Sequence, residues 1–443
     1  MARKKIKISK KNNLWKQIVF VLVAIVIIGF ILSNTFDFSG FKDWFKADPE
    51  PLTNDTLNVT PEEPQTMFEI VYPNGEIKII DIADIDRTKN EDVVIGVMLP
   101  TSGEFSKVGI AIARGINLAI DEVNAEGGVN NKTVVAVYKD TKCDYNVAKH
   151  NFAELVGLRN VPAIIGPVCA QSLFILDDLT NLTQTLVISP AVSNPRTRFM
   201  NKYLFTTYPF DSYGAGIMAR YMDSLGLHKP AVFYVGDANY GNYLYDRFES
   251  VYEKQLAGRG NDIVIAEAFD PGEQFFKDAI FRSLKRDPDS VFIAQHGEGP
   301  KLVKQLAQLG VRKNIFGTDS FNTPEVIREM GVGIESVTFS RMAYDLSDVK
   351  AAMFRKKVRA YYNVTDVPHE LYTANAYDTT MILLEAIETG GYDANGIHDY
   401  LLGMGQRSGV TGGLWFDNVT REPYRDYQVI RYDNGRPEVL AEY

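Results

Sequence analysis

From Val93 almost to the last residue, short apolar runs rich in β-branched side chains alternate with segments of helical period. They do so in two successive series. VVIGVML (93–99), TVVAVYK, PAIIGPV and TLVISPA make the first; AVFYVG, DIVIAEAF, SVFIAQ and NIFGTDS make the second. Such runs fit parallel sheets covered on both faces, and the intervening helices supply the crossovers. Between about Lys107 and Ala125, Gly109, Ala113, Ile116, Ile120 and Val123 share one helical face, and Gly127-Gly128 ends the helix. Two long helices are expected at about 346–362 and 370–389, with a short one near 395–402. Strand-like GGLWFD and YQVIRYD follow around a polar turn. Residues 92–443 are too many for one ordinary core and suit two lobes. The expected fold is α/β, two doubly wound Rossmann-like lobes. Lobe 1 takes 91–208 and 343–405; lobe 2 takes 209–342 and 406–443.

The N-terminus adds a membrane element. Arg3, Lys4, Lys5, Lys7, Lys10, Lys11 and Lys16 come first with no acid among them, so residues 1–17 read as a cytoplasmic basic segment. Residues 18–36 then run without a charge. At about 1.5 Å per residue this stretch nearly spans a ~30 Å hydrocarbon core. The cationic flank stays inside, so the remainder lies outside the cytoplasm. A cleaved signal peptide is the competing reading, but no small-x-small site follows the apolar run. A retained transmembrane signal-anchor is therefore expected. Residues 37–66 read as a tether, rich in Pro, Thr and acids from 47 onward. Two alternating runs around Asn74-Gly75 read as a β-hairpin within 67–90.

The whole chain carries −9, and without the seven N-terminal cations the exterior part carries −16. That balance argues against a nucleic-acid partner. The chain has two cysteines, Cys143 and Cys169, each at the carboxyl end of an expected strand. On the oxidising side of a membrane they read as a disulfide, which would stabilise by roughly 3 kcal/mol on the chain-entropy model. Two reduced core cysteines are the alternative. Six Asn-x-Thr triplets, at Asn54, Asn58, Asn131, Asn181, Asn363 and Asn418, allow glycosylation where the machinery exists.

In open α/β sheets, ligands collect beyond the carboxyl ends of the strands. In the first series those ends carry Thr101, Ser102, Cys169, Ala170, Ala191 and Ser193. In the second they carry Asp237, Tyr240, Gln295, His296 and Asp319. If the lobes face each other, a small hydroxylic wall opposes one with an acid, a histidine and an aromatic. No GxxxxGK[ST], HExxH or GxSxG occurs, the five histidines are scattered, and no catalytic constellation is found. The sequence calls for no cofactor and no metal.

At these residues the chain resembles the type I periplasmic binding proteins of the leucine/isoleucine/valine-binding group, from about Val93 to Asp433. LPTSGEFSKVG is similar to that family's opening loop, and INLAIDEVNAEGGVNNKTV to its first helix, Gly-Gly turn and second strand. KDTKCDYNVAKHNFAELV and IIGPVCAQS put Cys143 and Cys169 where leucine-binding members carry their disulfide. ISPAVSNP, VGDANYGNYL and FGTDSFNTPE resemble its ligand segments; LYTANAYDTTMILLEAI and GVTGGLWFD resemble its closing helix and hairpin. The resemblance implies a two-lobed Venus flytrap with three hinge crossings, binding amino acids, amides or ureas and delivering them to an ABC permease.

It also assigns roles. Ser193, with backbone groups of Ala191, matches the position holding a ligand carboxylate and ammonium; a Ser-Asn-Pro turn is the structural alternative. Asp319 matches the acid that pairs with the ammonium, where a cap is the alternative. Tyr240 matches the aromatic cover, and Gln295 or His296 a further contact. Where the leucine-binding members place a serine this chain has Ala170, followed by Gln171 and Ser172, whose helix start could still offer N–H groups. The expected function is capture of an amino-acid-like solute outside the membrane for a permease. A ligand-sensing ectodomain or receptor subunit is the alternative.

Overall fold

The computed structural model describes residues 67–71, 77–81 and 91–443, apart from 237–239, 296, 323, 345–347 and 435. Residues 18–36 and the Asn74-Gly75 turn lie outside them. Among the described residues no helix is long and apolar enough to cross a membrane. The expected hairpin strands are present: β1 (Met67–Val71) and β2 (Ile77–Asp81) pair antiparallel, with Val71 opposite Ile77.

The first series folds into a five-stranded parallel sheet. Its strands are β3 (Val93–Leu99), β4 (Val134–Asp140), β5 (Ala163–Ile165), β6 (Leu186–Ser189) and β7 (Leu204–Thr206), in the order β4-β3-β5-β6-β7. Helices α1 (Ser106–Ala125) and α2 (Tyr145–Arg159) follow β3 and β4. The expected apolar face of α1 packs on the core: Ile116 and Ile120 are buried, with Ala113 and Val123 against them. Helix α3 (Ala170–Phe174) follows β5, and α4 (Asp177–Thr183) precedes β6.

Helix α5 (Asp211–Ser224) opens the second lobe. There β8 (Pro230–Val235), β9 (Ile265–Phe269), β10 (Ser290–Ala294), β11 (Asn314–Gly317) and β12 (Val337–Met342) repeat the same parallel order, β9-β8-β10-β11-β12. Helices α6 (Gly241–Glu249), α7 (Lys277–Leu284), α8 (Gly299–Gln308) and α9 (Pro324–Met330) connect them. Both sheets therefore reverse direction beside their first strand, between β3 and β5 and between β8 and β10. That is where such sheets open a crevice.

The chain then returns to lobe 1 through α10 (Val349–Tyr362), α11 (Glu370–Gly390) and α12 (Ala394–Gly403). Here the expected boundary at 405/406 needs correction. Residues 407–425 form a separate small sheet of β13 (Arg407–Gly409), β14 (Gly412–Phe416) and β15 (Pro423–Arg425). Its Leu414 and Phe416 lie in the first-lobe core, where Phe416 meets Phe205 edge-on at 5.2 Å. Burial of these two apolar side chains holds the segment to lobe 1, and the third crossing comes at Arg425–Tyr427. Beyond it, β16 (Tyr427–Asp433) pairs antiparallel with β12 and with β17 (Arg436–Glu442). The runs GGLWFD and YQVIRYD thus belong to different sheets and do not pair with each other.

The crossings are tied together. Ala343 N–H donates to Asp426 carbonyl at 2.8 Å. Buried Arg425 donates to the carbonyls of Thr207 (3.1 Å) and Gly413 (3.3 Å), to Thr411 Oγ1 (3.0 Å) and to Asn375 Oδ1. Of the Asn-x-Thr triplets, Asn131, Asn181, Asn363 and Asn418 are exposed.

Candidate functional site

The two cysteines are joined, with Cα atoms 5.5 Å apart. The bond ties the loop after β4 to the start of α3, both at the carboxyl edge of the first sheet. Across from it, the second lobe offers the ends of β8, β10 and β11. Two glycines shape that wall. A Cβ on Gly241 would lie 2.0 Å from the Val235 carbonyl, so only glycine lets α6 begin against the end of β8 and set Tyr240 there. A Cβ on Gly317 would meet the Phe321 ring at 2.4 Å; its absence lets the tight turn Asp319–Asn322 fold back over β11.

Asp319 opens that turn, deeply set yet partly reachable by solvent. Its Oδ2 accepts from the Tyr208 hydroxyl at 3.0 Å. Desolvation pushes its pKa up to about 6, against the opposing pull of the Tyr208 bond and of the backbone N–H groups of Asp319 and Ser320. Tyr208 lies at the end of lobe 1, just after β7, so this bond joins the two lobes. It stacks on Tyr372 of α11 at 5.6 Å and 13°. Asp211, at the start of α5, is buried and accepts from Ser193 Oγ at 2.5 Å. Burial, then the nearby charge of Asp319, hold Asp211 well above the ordinary carboxylate range. Burial first, and then the two acids, likewise raise Tyr208, Tyr240, Tyr372 and Tyr427 above the ordinary phenol value. The result is a cluster of two carboxyls and four tyrosines where the lobes meet.

Among the sequence-derived site residues, Asp319 and Tyr240 belong to this cluster, and Ser193 joins it through Asp211. Gln295 is buried at the end of β10, and neither of its amide atoms has a hydrogen-bond partner. Ser172 Oγ, in α3, is also buried and unpartnered; Ala170 is half-buried and Gln171 exposed. Ala191 N–H donates to Ser189 Oγ at 3.2 Å, so it is already engaged. Ser102 is exposed and donates to Asp140 Oδ2 at 2.6 Å. Asp140, which burial alone would raise, is held below its ordinary value by Ser102 and by the N–H groups of Lys142 and Thr101. His296 lies outside the described residues.

Sequence reasoning missed Asp211, Tyr208, Tyr372 and Tyr427. Tyr208 and Asp211 follow β7, whose three residues are too short an apolar run to read as a strand, and neither Tyr372 nor Tyr427 follows the carboxyl end of one. Tyr208 and Asp211 lie in the first crossing, Tyr427 in the third, and Tyr372 in a helix. The cluster TTYPFDSY, dense in aromatics around an acid, was the available signal. At the mouth, Lys107 of lobe 1 pairs with Glu325 of lobe 2 at 3.3 Å, and His369 Nε2 lies 3.8 Å from the same carboxylate. No group of three or more potential metal ligands occurs among the described residues.

Comparison with known proteins agrees with this architecture. The family model described as periplasmic binding protein matches residues 92–437. The chain is 26% identical over 310 residues to the chemotactic signal transduction system substrate-binding protein BasB of Halobacterium salinarum, covering 68% of this chain and 71% of that protein. It is 24% identical over 302 residues to the Leu/Ile/Val-binding protein BraC3 of Rhizobium johnstonii, covering 68% and 80%. The structure of the branched-chain amino acid transporter substrate binding protein LivJ of Streptococcus pneumoniae, in complex with isoleucine, superposes with a TM-score of 0.67. That match is at 25% identity and covers 79% of this chain and 98% of LivJ.

Proposed function

This chain belongs to the periplasmic binding protein family, within the leucine/isoleucine/valine-binding type I group, and we propose that it captures a small amino-acid-like solute between its two lobes. The family is one of solute-binding proteins, and the chain is not an enzyme. In this reading the solute binds at the cluster of Asp319, Tyr240, Tyr208 and Asp211, and closure brings both walls onto it. The reading extends to residues 18–36 as a membrane anchor, with the lobes outside the cytoplasm. It also takes an ABC-type permease as the partner that receives the closed form.

The single observation that carries the proposal is Asp319. It is a deep-set acid at a strand end of one lobe, held by a tyrosine of the other, with no lysine or arginine in an ion pair with it among the described residues. A carboxylate so placed accepts a ligand nitrogen and favours closure, because only the closed form engages both walls. Ser172 and Gln295, buried without partners, are further groups that a ligand would satisfy.

Titration calorimetry with amino acids, amides and ureas tests this, on the protein and on Asp319→Asn. Loss of one charge-assisted bond should weaken an ammonium-bearing ligand by about 1.5–3 kcal/mol, roughly ten- to a hundredfold. Unchanged affinity in the variant would remove Asp319 from the site. A second reading, a ligand-sensing subunit of a receptor complex, is favoured by the name of the Halobacterium relative. Co-purification with a permease or with a transducer separates the two.

A further inference from the structure

We propose that the solute held by this cleft is an organic cation, with a positively charged nitrogen at its buried end and no free carboxylate against the first-lobe wall. The inference rests on the cleft reading above and replaces the amino-acid zwitterion in it by an amine or ammonium solute. Three features of the cluster lead to it.

The first is charge. Asp211 and Asp319 gather where the lobes meet, Asp211 bonded to Ser193 and Asp319 to Tyr208, and among the described residues neither forms an ion pair with a lysine or arginine. One acid at the start of a helix has an ordinary explanation, since the helix dipole favours it. That covers Asp211 as the first residue of α5, but not its burial beside a second acid. Two carboxyls withdrawn from water without a counter-charge are costly, and a cation bound between them offsets the cost. One zwitterion ammonium would answer a single carboxylate. Here its own carboxylate would have to share the site with a second acid.

The second is the lining. Tyr208 and Tyr372 present a stacked pair, and the Tyr208 hydroxyl donates to Asp319. Aromatic faces around a desolvated cation strengthen its binding, and such cages suit ammonium groups, methylated ones included.

The third is the opposite wall, where an α-carboxylate would need free donors. Most are engaged. Ser193 gives its hydroxyl to Asp211, Ser102 gives its own to Asp140, and Ala191 N–H goes to Ser189. Position 170 is an alanine, without a hydroxyl. Two of the three candidate hydroxyls, those of Ser102 and Ser193, are turned to carboxylates of the protein itself, which leaves the buried Ser172 Oγ as a single uncharged donor on this wall. Gln295, unpartnered on both amide atoms and almost wholly buried, remains for a polar, uncharged part of the solute.

The test uses the full chain and compounds that differ in charge. Calorimetry is run with isopentylamine, L-leucine and 4-methylpentanoate, which share a branched tail, and with tetramethylammonium and 1,4-diaminobutane. At least one of the three cations should bind about tenfold or more tightly than leucine, and 4-methylpentanoate should not bind. Leucine binding more tightly than every cation, or no binding by any cation, overturns the inference. Asp211→Asn should weaken the cation about tenfold or more. If Asp211→Asn binds as the parent does while Asp319→Asn does not, the cleft reading stands and the cation reading falls. If Asp211→Asn does not fold, the charge-matched series on the unaltered protein decides alone.

Discussion

Two regions of the molecule bury polar groups where the lobes meet, and they do so in opposite ways. At the hinge, Arg425 is buried with each of its three nitrogens donating, to Thr207, Gly413, Thr411 and Asn375. Asp378 sits beside it, accepting from the N–H groups of Val410 and Thr411 at 2.8 Å each. In the cleft two acids gather with no ion pair to a lysine or arginine among the described residues, and the polar side-chain atoms of Gln295 and Ser172 have no hydrogen-bond partner. The hinge is internally complete, as a structural knot should be. The cleft is incomplete, and what it lacks has a definite chemistry: positive charge and hydrogen-bonding capacity. A buried polar group is informative about binding when the protein leaves it unsatisfied.

The comparison breaks most readily at the hinge. Arg425→Met should strand Asp378 and the carbonyls of Thr207 and Gly413, costing about 3–5 kcal/mol in denaturant unfolding. A loss below about 1 kcal/mol would mean the knot is not structural.

The cleft should answer with the opposite sign. The raised pKa of Asp319 means that the empty native state holds a proton that the unfolded chain releases. That contribution to stability is fully present below the unfolded chain's value of 3.8 and is lost as pH rises through about 6. Asp319→Asn should therefore stabilise the ligand-free protein at neutral pH, by roughly 1–3 kcal/mol given about 1.4 kcal/mol per pKa unit. Thermal melting in the absence of ligand checks this, and a destabilised variant would class Asp319 with the hinge.

The same titration governs affinity. An ammonium ligand should bind severalfold more weakly at pH 5 than at pH 7.5, because protonating Asp319 removes its charge; calorimetry across that range reads the slope. The smallest effect belongs to the exposed clasp at the mouth. Glu325→Gln should cost about 0.2–1 kcal/mol of closure. It should appear as a severalfold faster ligand off-rate in stopped flow that salt reproduces in the parent.

Much of this was legible in the sequence. The two strand–helix series foretold two doubly wound lobes, and the cysteine pair foretold the bond across the first-lobe edge. The strand-end rule located Asp319 and Tyr240, because a strand's carboxyl end is visible as the end of an apolar run. Asp211, Tyr208 and Tyr427 were not visible in that way. They stand in hinge crossings, and a crossing has no periodicity; its neighbours are set by how two lobes dock. The same reason misplaced the third crossing. Residues 407–425 read as a continuation toward the last strands, and only the packing of Leu414 and Phe416 against Phe205 assigns them to lobe 1. Ser102 and Ser193 were found at the right edge with their hydroxyls turned to acids, a pairing that strand order alone does not specify.

The central claim is that the cleft's acids hold a proton when empty and exchange it for the charge of a bound solute. It is tested most directly by calorimetry at pH 6 in two buffers of different ionisation enthalpy, with the tightest-binding solute of the charge-matched series. The account predicts release of about half a proton or more per ligand bound, through Asp319 and Asp211. Tight binding with no proton exchanged, or with net uptake, would contradict it.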